Sequence, residues 1–294
     1  MTGELAAREL EIMREPRKQA LCEGLDANAA PRGVEDEIAH VTSILVSRMR
    51  TLYGLSQSPW TEKARWALDH YAVAYRYHEH LPVLGEVLLR AKARSRPKGT
   101  KASVPLLADG DAVFCSSIAI ARHAETIGRG EALFPKDRDE EVVRWADLSD
   151  RVIAAGRARV LAGLRVNRDA QREALPSFIP DALRGVFAPM ATTAALFLGS
   201  KYDVPRDPDR EAEEVLRPAF EELRRALGGR SYLLDRFTFA DIAMASSLQT
   251  LRARKGAALG PATRAVWENA AMAADFEDLL AWRDGLYAKH RAGS

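Results

Sequence analysis

Residues 50–71 read RTLYGLSQSPWTEKARWALDHY, and the character of the chain changes within them. RTLYGL is a short run of strand formers, SQSPW interrupts it, and Trp60, Ala64, Ala67, Leu68 and Tyr71 then recur at helical spacing. Pro59 suits the first helical position because it carries no N–H to strand there, and Ser58 before it suits the N-cap. The segment therefore predicts a strand, a tight turn and a helix. Downstream, AYRYHEHL (Ala74–Leu81) alternates Tyr75 and Tyr77 at period two, which adds a second strand and completes a βαβ unit. A connection rich in Pro and Lys follows. VPLLAD, a turn at Gly110 between Asp109 and Asp111, and AVFCS then predict a β-hairpin, and a helix runs from Ser117 to Ile127 with Gly128 as its stop. Over residues 49–130 the predicted order is β-α-β-α-β-β-α.

Past Leu133-Phe134-Pro135 every periodic segment is helical. Asp137 is placed to cap a helix whose Val142, Trp145, Leu148, Val152 and Gly156 share a face. Leu216, Phe220, Leu223 and Leu227 repeat at helical intervals before Gly228-Gly229. This predicts an α/β domain followed by an all-α domain over residues 137–294. Residues 1–48 carry a polar helical pattern broken by Pro16 and then a turn-rich stretch, and they read as an appendage ahead of the fold.

Composition narrows the function. The chain has 294 residues, with 43 Lys plus Arg against 41 Asp plus Glu, so no chain-wide field exists to hold nucleic acid or an anionic surface. The longest uncharged stretch, Gly185–Ser200, is interrupted by Pro189 and is short for a bilayer span, so no membrane partner is expected. The acidic and basic residues among the first fourteen fit neither a secretory signal nor a transit peptide, and a cytoplasmic location is the expectation. Cys22 and Cys115 lack disulfide-scaffold or zinc-ligand spacing and are expected to be free thiols. His78 and His80 flank Glu79 on a strand but lack a third ligand nearby, so no metal is expected.

Three separated segments carry a family resemblance: LSQSPWTEKARWAL (55–68), SVPLLADGDAVFCSSIAIARHAE (103–125) and SYLLDRFTFADIAMA (231–245). Together they resemble the glutathione S-transferase family, in which an α/β thioredoxin-like domain precedes an all-helical domain. The resemblance implies glutathione as co-substrate, a small hydrophobic electrophile as second substrate, detoxification chemistry and a homodimer. Where a glutaredoxin carries C-P-x-C, this chain reads Ser58-Pro59-Trp60-Thr61, so neither sulfur of a dithiol reductase is present. A hydroxyl at a helix N-terminus instead donates a hydrogen bond to a bound thiolate, with the helix dipole adding to the stabilisation. Ser58 is the first candidate for that role. Ser56 stands in the Leu-Ser-Gln context of theta-class members, Tyr53 ends the strand where tyrosine-type classes place their hydroxyl, and Trp60 follows at the glutathione-binding edge.

By the same resemblance, Val104-Pro105 matches a cis-proline turn that offers backbone groups to the cysteinyl part of glutathione. Ser117 matches the serine opening the third helix, where a hydroxyl and helix N-terminal amides hold the γ-glutamyl carboxylate. Ser116 departs from the Glu or Asp many members carry, which weakens the γ-glutamyl site. Lys101, within the basic run RAKARSRPKGTK, is a candidate for the glycyl carboxylate; that run lacks interleaved aromatics, so nucleic acid is not the expected partner. Phe178, Phe187, Met190 and Phe197 form the apolar region expected to meet the electrophile. Thr238 and Asp241 fit a capping box, with Phe237 and Ile242 as its hydrophobic staple, so Asp241 is read as a folding residue. Two further functions stay open beside conjugation: a non-catalytic binding or scaffold protein, and a glutathione-dependent isomerase or ether-cleaving enzyme.

Overall fold

The computed structural model describes residues 50–81, 85–96, 102–175, 179–201, 205–254, 256–257 and 259–291. The expected extension, residues 1–48, lies outside the described residues, as do Cys22, Lys101 and Phe178. Four short strands form a mixed sheet ordered β2-β1-β3-β4: β1 (Thr51–Gly54), β2 (Arg76–Glu79), β3 (Leu106–Asp109) and β4 (Ala112–Phe114). β1 runs parallel to β2 and antiparallel to β3, and β3 turns directly back into β4 through Gly110 and Asp111. Helix α1 (Pro59–His70) is the crossover between β1 and β2. Helix α2 (Glu86–Lys92) and a 3-10 turn (Ala93–Ser95) lead towards β3, and α3 (Ser117–Ile127) follows β4. The β-α-β-α-β-β-α order of the sequence is the order of the structure.

Strand alternation assigns the two faces of the sheet. Leu52 and Leu107 enter the main core with Trp66, Leu68, Ile120 and Ala124 of α1 and α3, whereas Tyr53 and Leu106 enter a smaller cluster with Leu89 and Ala93. Gly128 ends α3 where no side chain fits: a Cβ there would sit 2.5 Å from both the Tyr71 carbonyl oxygen and its Cβ.

From Asp139 onward the described elements are helical. The chain continues through α4 (Asp139–Val166), α5 (Arg168–Glu173), α6 (Asp181–Lys201), α7 (Pro208–Leu227), α8 (Phe239–Ser247), α9 (Pro261–Trp267), α10 (Ala270–Asp275) and α11 (Glu277–His290). The expected faces of α4 and α7 are buried: Val142, Trp145, Leu148 and Val152 on one, Leu216, Phe220, Leu223 and Leu227 on the other. Asp137 is not the cap of α4. A turn closed by the Arg138 amide on the Pro135 carbonyl (2.9 Å) delays the helix to Asp139, and Asp137 pairs with Arg236 on the surface. Among the described residues, no single helix is long and apolar enough to cross a membrane.

Asp241 of α8 is fully buried, and its carboxylate accepts from the amides of Leu233 (2.8 Å) and Thr238 (2.8 Å) and from the Thr238 hydroxyl (3.0 Å). Phe237 and Ile242, at the staple positions, both lie in the main core.

Candidate functional site

Strand register brings three candidate segments to one end of the sheet. Tyr53 pairs with Leu106 and Leu107 with Phe114, so the chain leaving β1, the chain entering β3 and the chain leaving β4 all meet beyond the same edge of the ladder. Leu55–Ser58, Val104-Pro105 and Ser116-Ser117 lie there. The Val104-Pro105 peptide is cis. Because Val104 precedes β3, its amide and carbonyl enter no ladder bond and make no other backbone hydrogen bond among the described residues.

The loop between β1 and α1 is fastened by its own backbone. The Ser58 amide donates to the Leu55 carbonyl (2.8 Å), the Leu55 amide donates to Thr61 Oγ1 (3.1 Å), and the Ser58 carbonyl accepts the Glu62 amide (3.0 Å). Ser58 is the N-cap of α1 with extended backbone, and Pro59 fills the first helical position. The Ser58 side chain makes no capping bond, so its half-buried hydroxyl is available at the positive end of α1. Ser56 differs. Its amide (3.0 Å) and its hydroxyl (3.3 Å) both donate to Glu79 Oε1, while the other carboxylate oxygen of Glu79 accepts from the Tyr77 hydroxyl (2.8 Å). A serine hydroxyl has one proton, and that of Ser56 is already given away. Tyr53 is buried in the smaller cluster, its ring edge-on to His78 at 5.1 Å. His78 and His80 line a cavity of about 210 Å³ with Tyr53 and Leu88. Among the described residues, no group of three or more His, Cys, Asp or Glu side chains is placed to hold a metal ion.

At the start of α3 the N-cap is Ser116, whose hydroxyl accepts the Ala119 amide (3.2 Å); Ser117 is the first helical residue and is buried. No acidic residue stands in the first turn of α3. Cys115 follows β4 and is only partly buried, against the cluster of Tyr53 and Leu106; burial pushes its thiol up, with Arg96 opposing. At the opposite end of β3, Asp109 takes the Arg50 guanidinium (2.8 Å) and contacts His123 Nε2 (2.8 Å). Burial works against its ionisation, but His123 and Arg50 prevail and hold the carboxyl below its ordinary value.

Trp60 carries a connection that local sequence did not reveal. Its indole Nε1 donates to Asp150 Oδ1 of α4 (2.8 Å), and the Arg157 guanidinium lies 4.9 Å from its ring centre. One turn on, Lys63 is buried and donates to the same Asp150 oxygen and to Ser149 Oγ (3.3 Å), which in turn donates to the Ala243 carbonyl of α8 (2.7 Å). Burial pulls the Lys63 ammonium below its ordinary pKa, and Asp150 partly offsets this. On the other flank of α1, the C-terminal Arg291 is buried against Glu62 (3.1 Å) and also bonds Asp69. Between α4 and α7 lies a cleft of about 550 Å³, lined by Leu148, Ala155, Val215 and Pro218 with Arg151 and Arg157 at its rim. Of the expected apolar region, Phe187 is 42% exposed on α6 and Phe197 is half-buried there.

Residues 52–132 match the family described as glutathione S-transferase, N-terminal domain. The chain carries a glutathione S-transferase N-terminal domain. Solved structures extend the likeness to the helical region at the level of fold. The beta-etherase LigF from Sphingobium sp. strain SYK-6 is 16% identical, with TM-score 0.52 over 82% of this chain and 95% of its own. A glutathione S-transferase from Rhodospirillum rubrum F11 is 17% identical, with TM-score 0.52 over 81% and 88%. Glutathione transferase GSTFuA2 from Phanerochaete chrysosporium is 17% identical, with TM-score 0.51 over 82% and 95%. No curated protein matches the chain by sequence. The glutathione S-transferase fold is thus shared at low identity: a four-stranded thioredoxin-like region followed by helices.

Proposed function

We propose that this protein is a glutathione transferase in which the Ser58 hydroxyl donates a hydrogen bond to the glutathione thiolate, readying it to attack a small hydrophobic electrophile. One observation supports the choice of residue: of the three candidate hydroxyls, that of Ser58 alone stands at the N-cap of α1, where it makes no capping bond, whereas Ser56 donates to Glu79 and Tyr53 lies back on β1 with its ring packed against Leu89 of α2. A charge-assisted bond of this kind contributes about 1.5–3 kcal/mol, which lowers a thiol pKa by about 1–2 units. In this reading the unpaired backbone of Val104 pairs with the cysteinyl peptide, and Ser117 with the first amides of α3 takes the γ-glutamyl carboxylate. The cleft between α4 and α7, rimmed by Arg157 beside Trp60, is the proposed seat of the electrophile.

The first turn of α3 favours one alternative. With Ser116 spent as the N-cap and no acid in that turn, the γ-glutamyl ammonium lacks a carboxylate partner there, which suits a weak binder or scaffold. Retention on immobilised glutathione, followed by turnover of a generic aromatic electrophile, separates the two. Retention with turnover supports the transferase. Retention without turnover supports the binder, and no retention rejects both.

A further inference from the structure

Asp150 lies on α4, some ninety residues from Ser58, yet one of its carboxylate oxygens receives two successive turns of α1: the Trp60 indole in the first and the Lys63 ammonium in the second. The helix whose N-terminus carries Ser58 is gripped at that end by this carboxylate. The contact is also asymmetric. The Lys63 side chain is 1% exposed, while Asp150 is 48% exposed. A buried ammonium needs a fixed counter-charge, so Lys63 cannot readily release Asp150, and loss of the carboxylate alone would leave that ammonium buried and unpaired. Ser149, the neighbouring α4 residue, closes the chain of bonds onto the Ala243 carbonyl of α8, so the grip is backed by a second helix.

We infer that Asp150 is a positioning residue: through Trp60 and Lys63 it sets the tilt and depth of the α1 N-terminus, and so the direction in which the Ser58 hydroxyl points. The inference rests on the reading of Ser58 as thiolate donor. A hydrogen bond to a thiolate loses strength steeply as its angle opens, so a small rotation of α1 changes the pKa of a bound thiol before it changes how much glutathione binds.

The test uses the full chain with glutathione and follows the pH dependence of the bound thiolate's ultraviolet absorbance beside kcat and KM. Trp60→Phe deletes the indole N–H and keeps an aromatic ring, though a smaller one. Asp150→Ala combined with Lys63→Met deletes the grip without leaving a buried ammonium unpaired, which protects the fold. Both variants are expected to raise the thiol pKa, the double variant by about one unit and Trp60→Phe by less. The expected fall in kcat near neutral pH is several-fold to tenfold, with KM for glutathione changed less than twofold. A residue of merely structural value would lower the melting temperature and leave the titration where it was. Wild-type protein that shows no thiolate titration overturns the proposed function and this inference with it. A normal wild-type titration, matched by both folded variants, overturns the inference alone.

Discussion

Replacing Asp241 with alanine removes the acceptor on which the Leu233 amide, the Thr238 amide and the Thr238 hydroxyl converge, at 2.8, 2.8 and 3.0 Å. Thr238 and Asp241 are fully buried, so water does not replace the lost oxygens, and each stranded amide costs about 1–3 kcal/mol. Against that loss stands the cost of the charge. Burial pushes the Asp241 pKa from 3.8 up to about 6, against the pull of its three donors, and at about 1.4 kcal/mol per pH unit the ionised form is held at a cost of about 3 kcal/mol. Alanine is relieved of that cost at neutral pH, so the net destabilisation is about 1–3 kcal/mol, a fall in melting temperature of roughly 2–4 °C for each kcal/mol. The pH dependence distinguishes the two contributions. A folded-state pKa above the unfolded one gives stability that is fully present below about pH 4 and lost as the pH rises through about 6. The penalty of Asp241→Ala is therefore expected to be larger at pH 5 than at pH 7.5, by about 1–1.5 kcal/mol. Urea denaturation of both proteins at the two pH values, followed by tryptophan fluorescence, measures it. A penalty that shrinks on acidification would refute the reasoning, because the donors would then outweigh burial.

Ser58→Ala is expected to raise the bound thiol pKa by about 1–2 units and cut conjugation near pH 7 about tenfold, while stability moves by less than about 0.5 kcal/mol because no capping bond is lost; unchanged absorbance titration would remove Ser58 from the mechanism. Ser58→Cys should trade conjugation for thiol exchange: the cysteine thiolate attacks oxidised glutathione, a mixed disulfide forms and reduced glutathione leaves, seen as an added mass, since a thiol at a helix N-terminus has a lowered pKa. Arg291→Ala strands buried Glu62 and should cost about 3–5 kcal/mol in thermal or urea unfolding, most of it recovered when both residues become Met. Gly156→Ala places a Cβ 2.5 Å from Thr250 Cγ2 and 2.8 Å from Thr250 Cβ, and should cost about 1–3 kcal/mol in urea unfolding; adding Thr250→Ala removes the Cγ2 contact and should recover part of it, and no recovery at all would place the strain elsewhere.

What the sequence made legible was local. Pro59 after Ser58 marked the start of α1, alternation marked β2, and the Thr238 to Asp241 spacing marked the start of α8, because each is a rule about neighbours a few residues apart. Errors arose where two adjacent residues compete for one role. Asp137 and Arg138 both precede α4, and only the backbone decides which of them is its cap. The segment put Ser58 first among the candidate hydroxyls, but its spacing carried nothing of what each one touches. Ser56 meets Glu79, which reaches it across the β1–β2 pairing and leaves no trace in the spacing of LSQSPW.

Asp150 and Lys63 were invisible for the same reason at longer range: a lysine in the second turn of an amphipathic helix reads as a solvated charge, and Asp150 reads as one more acid on a helix rich in acids. Burial turns both into a constraint. α1 receives Asp150 from α4 at its first turns, Glu62 and Asp69 receive Arg291 from beyond α11, and the Trp66 indole donates to the His290 carbonyl (3.1 Å). The helix behind the candidate hydroxyls is thus held by groups from 87 to 229 positions away. The family match at residues 52–132 thus contains the candidate hydroxyls and α1 but not Asp150 or Arg291, which hold that helix from outside it. Two chains with the same N-terminal domain and different helical regions would therefore be expected to differ in thiol pKa even with identical serines.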